Sequence, residues 1–310
     1  MRVTSNTYPD TLKNQLQYLQ QKQLGFQNQI STGLKFQDAS QDPVGFLTSQ
    51  MATSNQDASK AYLNSTQTAQ RITKDNYTAM ADLQKVMSRA SELATQSSGH
   101  ISPQAQQSIA VEMGKILDQV VSIANRKDAF NNYLFGGTGN VPPVIQTSPG
   151  PPPVYAYNPA ATYTSNVADV DIANGYNFTT GMVAGRIGSL PAFNGFLTNG
   201  TFDILNTLST AYTQLQAGNA VGTTQSQQLS QEVDYTALNL GKTASNLSAL
   251  NLNEAALNDQ MLSGAKRISD VTQASYTDVI TELQRTQLGY QAALQSSGQI
   301  LSLTLLNYLR

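Results

Sequence analysis

Each end of this 310-residue chain carries a long polar segment with a thin apolar seam, and no helix buries such a seam by itself. Near the start, Leu12, Leu16, Leu19, Gln23, Phe26 and Ile30 recur at alternating steps of four and three. That spacing keeps one stripe turned towards one partner. Near the end, Ile280, Leu283, Gln287, Tyr290, Leu294, Ser297, Leu301 and Leu305 follow the same rule, and the tip ILSLTLLNYLR, which includes Tyr308, is markedly apolar. A seam of two positions in seven among Gln and Asn is too narrow for a globular core and suits a coiled coil completed by a neighbour. Chain ends are usually the least ordered part of a protein. Association surfaces placed there point to a polymer subunit rather than an enzyme, with ends that gain order from the partner.

Composition narrows the classes further. Charged residues make up 12% of the chain against 33 Gln, so its polarity is mostly uncharged. A net charge of -2 offers no basic field for phosphates, which excludes a nucleic-acid partner. There is no Cys, hence no disulfide and no thiolate metal site. The opening MRVTSNTYPD lacks the basic stretch and apolar run of a cleaved Sec-type signal peptide, and no run is long enough to span a bilayer, so no membrane partner is expected.

The clearest internal boundary is compositional. Residues 147–213 contain no Gln, and eight of the eleven prolines lie between Pro142 and Pro191. Repeated prolines in VPPVIQTSPGPPPVYAYNPA remove backbone donors and force extended conformations, so this stretch is not helix. Asn174-Gly175, Asn194-Gly195 and Asn199-Gly200 are hairpin turn signals. Residues 141–203 therefore read as a small β-rich insertion. On either side the pattern is helical: from about Val44 to Ser97, where Met80, Leu83, Met87, Ala90 and Ala94 form a stripe, then after the break at Gly99 and Pro103 along Ile109, Met113, Ile116, Val120 and Ile123. A short helix is expected over Phe202 to Leu215 and a longer one from Leu229 to about Val271.

The chemistry of catalysis is missing. His100 is the sole histidine and falls in the predicted break between helices, where an exposed loop residue is expected. Gly136-Gly137-Thr138-Gly139 lacks the lysine of a phosphate loop, and prolines follow where a helix would be needed. Asp38 with Asp42, and Asp169 with Asp171, could hold a cation only with four or more further oxygens, so they read as turn and surface residues. An enzyme would place its site in the insertion, where the titratable residues singled out are Asp169, Asp171, Arg186 and Asp203. Neither a catalytic residue nor a metal or cofactor site is expected.

Four segments together resemble the flagellin superfamily of bacterial axial proteins, and within it the hook–filament junction members. QISTGLKFQDASQDPVGF resembles the family's turn and Asp-Pro helix start, and RASELATQSS, Arg89 to Ser98, is similar to its RxxELAxQ segment. NNYLFGGTGN, Asn131 to Asn140, resembles the YLFGG motif, and LGYQAALQSSGQILSLTLLNYLR resembles the C-terminal helix. Asp42-Pro43, YLFGG and the terminal LLNYLR favour a junction member; flagellin, the filament subunit, is the alternative. The resemblance leaves residues 141–203 uncovered, the family's own variable region.

From this resemblance the expected fold is mainly α with a β-rich insertion, an elongated flagellin-like helical bundle. Residues 1–43 and 276–310 would form the terminal coiled-coil domain, 44–140 and 204–275 a helical rod, and 141–203 the variable outer domain. The resemblance also implies export through the flagellar type III apparatus with an export chaperone, and an extracellular location on the bacterial flagellum. Assembly would be as a ring of subunits between another hook-associated protein and the first flagellins. The expected assembly seam comprises Leu12, Leu16, Leu19, Phe26, Ile30, Ile280, Leu283, Tyr290, Leu294, Leu301, Leu305 and Tyr308. An outgoing and returning chain makes the terminal helices antiparallel. Setting Leu12 level with Leu301 brings Leu19 opposite Leu294 and Phe26 near Gln287, although a slip by one heptad preserves the pattern.

Overall fold

The computed structural model describes residues 7–99, 101–137, 140–149, 153–158, 160–161, 169–180, 182, 195–198 and 201–308, with side chains for those between 11 and 299. The helices are α1 (Thr7–Thr32), α2 (Pro43–Ser97), α3 (Pro103–Ala124), α4 (Ile204–Gln216), α5 (Thr223–Thr272) and α6 (Tyr276–Tyr308). Between α3 and α4 lie β1 (Val144–Ser148), β2 (Val154–Tyr157), β3 (Asp169–Ala173) and β4 (Tyr176–Thr179). The fold is mainly α with a β-bearing insertion, as the sequence indicates.

Local chemistry sets the helix limits. Asp42 caps α2, its Oδ1 accepting from the Gly45 amide at 2.9 Å, with Pro43 in the first turn where its missing N–H costs nothing. Ser102 and Pro103 repeat this device at α3, where the serine oxygen accepts from the Ala105 amide at 3.3 Å. Asp203 caps α4. Helix α1 stops at Gly33, whose φ of +72° is open to glycine. The Tyr276 hydroxyl lies 3.1 Å from the point a Cβ there would occupy, so a side chain would also have to push that hydroxyl aside by a few tenths of an ångström.

The chain divides into two compact units, one of residues 1–58 with 259–310 and the other of residues 59–258. The division falls inside α2 and inside α5. In the first unit α1 packs on α6, and backbone pairing ties the two connections together. Lys35 N–H donates to Thr272 C=O at 2.7 Å and Ala274 N–H to Gly33 C=O at 2.8 Å. These bonds flank an antiparallel bridge between Leu34 and Gln273. Phe36 is buried there and meets Phe46 edge to face.

The second unit has the deep core. Met80, Leu83, Met87 and Leu93 of α2 close on Met113, Leu117 and Val120 of α3, on Leu205, Leu208 and Leu215 of α4, and on Leu229 of α5. Buried residues of α2 recur at strict sevens, as Ser59, Thr66, Thr73, Met80, Met87 and Ala94, with Ala69, Asn76, Leu83, Ala90 and Ser97 between them. The facing stripe on α5 runs Leu229, Glu232, Thr236, Asn239 and Thr243, then takes a second step of four to Leu247. That extra step is a stutter, which locally unwinds a left-handed supercoil.

The insertion holds two separate two-stranded antiparallel hairpins among its described residues. In β3–β4 the loop is Asn174-Gly175, with Ala173 paired to Tyr176. Only Gly175 takes a positive φ, of +73°, so the turn is not the type I′ that Asn-Gly most often forms. Ile172 and Phe178 pack on Ala69 of α2 and Leu250 of α5. Asn76 and Asn253 donate to the Thr180 and Ile172 carbonyls. Hairpin β1–β2 is pinned by Asn125, whose side chain both donates to and accepts from Val144 backbone at 2.9 and 3.0 Å. Tyr155 donates to Asp118 and Tyr157 to Asp203. The turn signals at Asn194-Gly195 and Asn199-Gly200 fall largely outside the described residues.

Candidate assembly surfaces

Helix α1 is polar because its sequence offers only the seam for packing, and the structure places that seam against α6. Leu12, Leu16, Leu19, Gln23, Phe26 and Ile30 are half-buried, and no described side chain of α1 is fully buried. The pairing with α6 is thus a half-cover, which leaves apolar surface for further neighbours. Tyr18 and Leu24, on the flanks of the same helix, are each 55% exposed.

On α6 the covered stripe matches the expected one at Leu283, Tyr290 and Ser297 and departs from it at Ile280, Gln287 and Leu294. Val279, Thr286 and Ser297 are buried, and Leu283, Tyr290 and Ala293 are half-buried. Ile280 and Leu294 are instead 42% and 45% exposed, one residue beyond the covered positions Val279 and Ala293, and Gln287 follows Thr286 in the same way. Small residues occupy several covered positions, so hydrophobicity alone points one step too far round the helix. Leu288, at 70%, adds a further outward apolar residue. Helix α6 continues through Leu301, Leu305 and Tyr308, whose side chains lie outside the described residues.

The expected register is corrected as well. The helices are antiparallel, but the bonds joining residues 33 and 35 to 274 and 272 fix where counting starts. Equal steps outward from Leu34 and Gln273 set Ile30 level with Thr277, Phe26 with Thr281, Leu19 with Leu288 and Leu12 with Gln295, and the covered residues two positions on are Val279, Leu283, Tyr290 and Ser297. Those four, like Ile30, Phe26, Leu19 and Leu12, are at least half-buried. The count therefore sets Leu19 nearer Tyr290 than Leu294, and Phe26 nearer Leu283 than Gln287. Backbone pairing at the base of the helices, absent from any side-chain pattern, decides this.

A second outward surface lies at the start of α2. Gly45, Ser49 and Ala52 turn inward, whereas Val44, Leu47 and Met51 are 77%, 62% and 61% exposed. A third feature belongs to the YLFGG region. Arg126 to Leu134 form a tight loop in which Asp128 Oδ1 accepts from the amides of Phe130 and Asn132 at 2.8 and 2.9 Å. Asn131 takes a φ of +67°. The Phe130 ring is presented outward with the Arg71 guanidinium 4.8 Å from its centroid. Phe135 of the same motif is fully buried, 4.5 Å from Phe196.

The remaining candidates resolve into structural roles. Asp42 is a helix cap, Asp169 and Asp171 pair with Thr179 and Asn177 along the hairpin, and Asp203 caps α4. No group of three His, Cys, Asp or Glu side chains that could hold a metal occurs among the described residues. His100, Thr138, Gly139 and Arg186 lie outside the described residues. No described helix is long and apolar enough to cross a membrane. In the RASELATQSS segment, Arg89 forks across Glu112 at 2.7 Å and Glu92 at 3.1 Å, which holds the Glu112 carboxyl below its ordinary range.

Comparison with known proteins shows a shared fold. Residues 3–140 match the bacterial flagellin N-terminal helical region. No curated protein matches the chain by sequence. Among solved structures, a protein of Vibrio parahaemolyticus assigned to the flagellar hook-associated proteins aligns with a TM-score of 0.62 at 15% identity, over 75% of this chain and 100% of its own. Flagellar hook associated protein-3 of Legionella pneumophila aligns at 0.58 and 12% identity, over 72% and 98%. A flagellar junction protein of Legionella pneumophila aligns at 0.57 and 14% identity, over 73% and 100%. The chain shares their fold.

Proposed function

We propose that this chain, which carries a flagellin-type N-terminal helical region, is a structural subunit of the bacterial flagellum at the junction between hook and filament. The observation that carries the reading is the unfinished α1–α6 pair: an ordered helical hairpin whose seam is covered on one side, with Ile280, Leu288 and Leu294 turned outward. Such a pair is stable in a tube of like pairs, where each flank meets a neighbour. Polar character on the remaining faces disfavours burial in a globular core.

In this reading the terminal helices, with Leu12, Leu16, Leu19, Phe26, Ile30, Ile280, Leu283, Tyr290, Leu294, Leu301, Leu305 and Tyr308, form the inner wall of a ring of subunits. Residues 141–203 form the outer domain. One edge of the ring meets another hook-associated protein and the other the first flagellins. The subunit reaches the outside through the flagellar export apparatus with a chaperone, and its work is mechanical rather than catalytic.

The second reading, flagellin itself, rests on the matched N-terminal region. Copy number separates the two. A tagged chain at its native locus should give a single focus at the base of each filament, and its deletion should leave hooks without filaments. Signal along the whole filament would overturn the junction reading in favour of flagellin.

A further inference from the structure

Glu232 is an anomaly on α5, since its seam neighbours are apolar or neutral and its own side chain is fully buried. Its Oε1 accepts from the Thr207 hydroxyl at 2.7 Å, while Oε2 has no hydrogen-bond partner. The carboxyl lines a polar cleft of about 280 Å³ between α5 and the start of α4, together with Asn206, Thr210, Gln225, Gln228 and Asp203. Neither Arg, Lys nor His lines that cleft. The charged and titratable groups facing Glu232 are Asp203 at the start of α4 and Tyr157 on β2. Asp203 Oδ1 already accepts from the Tyr157 hydroxyl at 2.9 Å and the Asn206 amide at 3.1 Å.

We propose that Glu232 is a proton-operated latch that holds α5 to the start of α4 and, through Asp203 and Tyr157, steadies hairpin β1–β2. With its proton, Glu232 is neutral, and Oε2–H donates to an oxygen of the polar cleft. Without it, a buried anion with one unpaired oxygen stands beside a second carboxylate, and the contact loosens. A metal ion fits less well. There are two carboxylates rather than three, and the N-terminus of α4 presents the positive end of its dipole.

Burial, reinforced by the Asp203 charge, pushes the Glu232 carboxyl up to about 7 from an ordinary 4.5. A raised carboxyl stabilises the fold fully below about pH 4.5, and that contribution is lost as pH climbs through 7. The folded-to-unfolded ratio should fall on the order of 10²-fold across that window from this group alone.

The test is thermal unfolding of the full chain from pH 4.5 to 8.5, with Glu232→Gln, whose amide supplies a permanent donor where Oε2–H would be. The wild-type midpoint should fall with rising pH and the variant's should fall far less, with the two diverging progressively from about pH 4.5 to pH 7. Parallel curves would overturn the proposal. A midpoint raised at pH 8 by millimolar calcium or magnesium in wild type alone would also overturn it, assigning the cleft to a cation. If Glu232→Gln does not fold, Asp203→Asn decides. It keeps the cap oxygen and removes the neighbouring charge, so it should move the wild-type transition to lower pH before it departs from the Glu232 profile; an unmoved transition would refute the latch.

Discussion

Helices α1 and α3 are of similar length, 26 and 22 residues, yet they are held by different means. Eight residues of α3 are buried, from Ile109 to Ala124, and its Met113, Leu117 and Val120 have no exposed surface. In α1 no described side chain reaches that state. Both carry an apolar stripe, so the difference lies in its width. The α3 stripe is broad enough to be surrounded by α2 and α4, whereas the α1 stripe meets α6 and stops. The unit of residues 59–258 completes its core from its own chain; the unit of residues 1–58 and 259–310 leaves Leu24, Leu288 and Leu294 exposed.

The hardest test of that contrast is truncation at the centre of the finished core. Leu117→Ala should lower unfolding stability by about 2–5 kcal/mol, the usual cost of a cavity left by a buried leucine, measured by denaturant titration of the purified chain. A loss under about 1 kcal/mol would mean that this core is looser than its burial indicates. The opposite test uses the unfinished surface. Ile280→Asp with Leu294→Asp should leave the main unfolding transition of the monomer in place and abolish incorporation into flagella. A monomer that unfolds earlier would show these residues to be covered within the chain.

Register offers a geometric test between these extremes. Leu19→Cys with Tyr290→Cys should crosslink within one chain under mild oxidation, since a disulfide needs Cα atoms within roughly 7 Å, and Leu19→Cys with Leu294→Cys should do so several-fold less. Equal yields would show that the helix pair slides. The smallest effect belongs to the cap of α2. Asp42→Ala should cost about 1 kcal/mol, the usual worth of an N-cap, felt as faster amide exchange at Gly45 and Phe46 without a change at Met113.

Helix positions were legible wherever a broad stripe met clear punctuation. Gly99 with Pro103 marks the break after α2, and Asn174-Gly175 marks the β3–β4 turn. Two things were not legible. The lower part of the α2 seam is Ser59, Thr66, Thr73 and Asn76, neutral polar residues that a search for apolar periodicity passes over, although they are buried at the same sevens as Met80 and Met87. On α6 the covered residues include Val279, Thr286 and Ala293, while the bulkier Ile280 and Leu294 beside them draw the eye although they are exposed. Glu232 escaped for a related reason: nothing in QEVDY distinguishes a buried carboxylate from a solvated one until Thr207 and Asp203 arrive from elsewhere in the chain.

Within residues 59–258, the polar contacts between α2 and α5 are made largely by amides and hydroxyls. Gln70 reaches Asn251 at 3.0 Å and Glu254 at 2.7 Å, Asn253 reaches Thr66 at 3.0 Å, and Thr236 donates to Gln84. None of the ion pairs among the described residues joins these two helices. Dissolved salt weakens attraction between charges over about 8 Å at physiological strength, but it has little hold on a neutral amide bonded at contact distance. A helix pair fastened in this manner keeps much the same grip in fresh water as in brine.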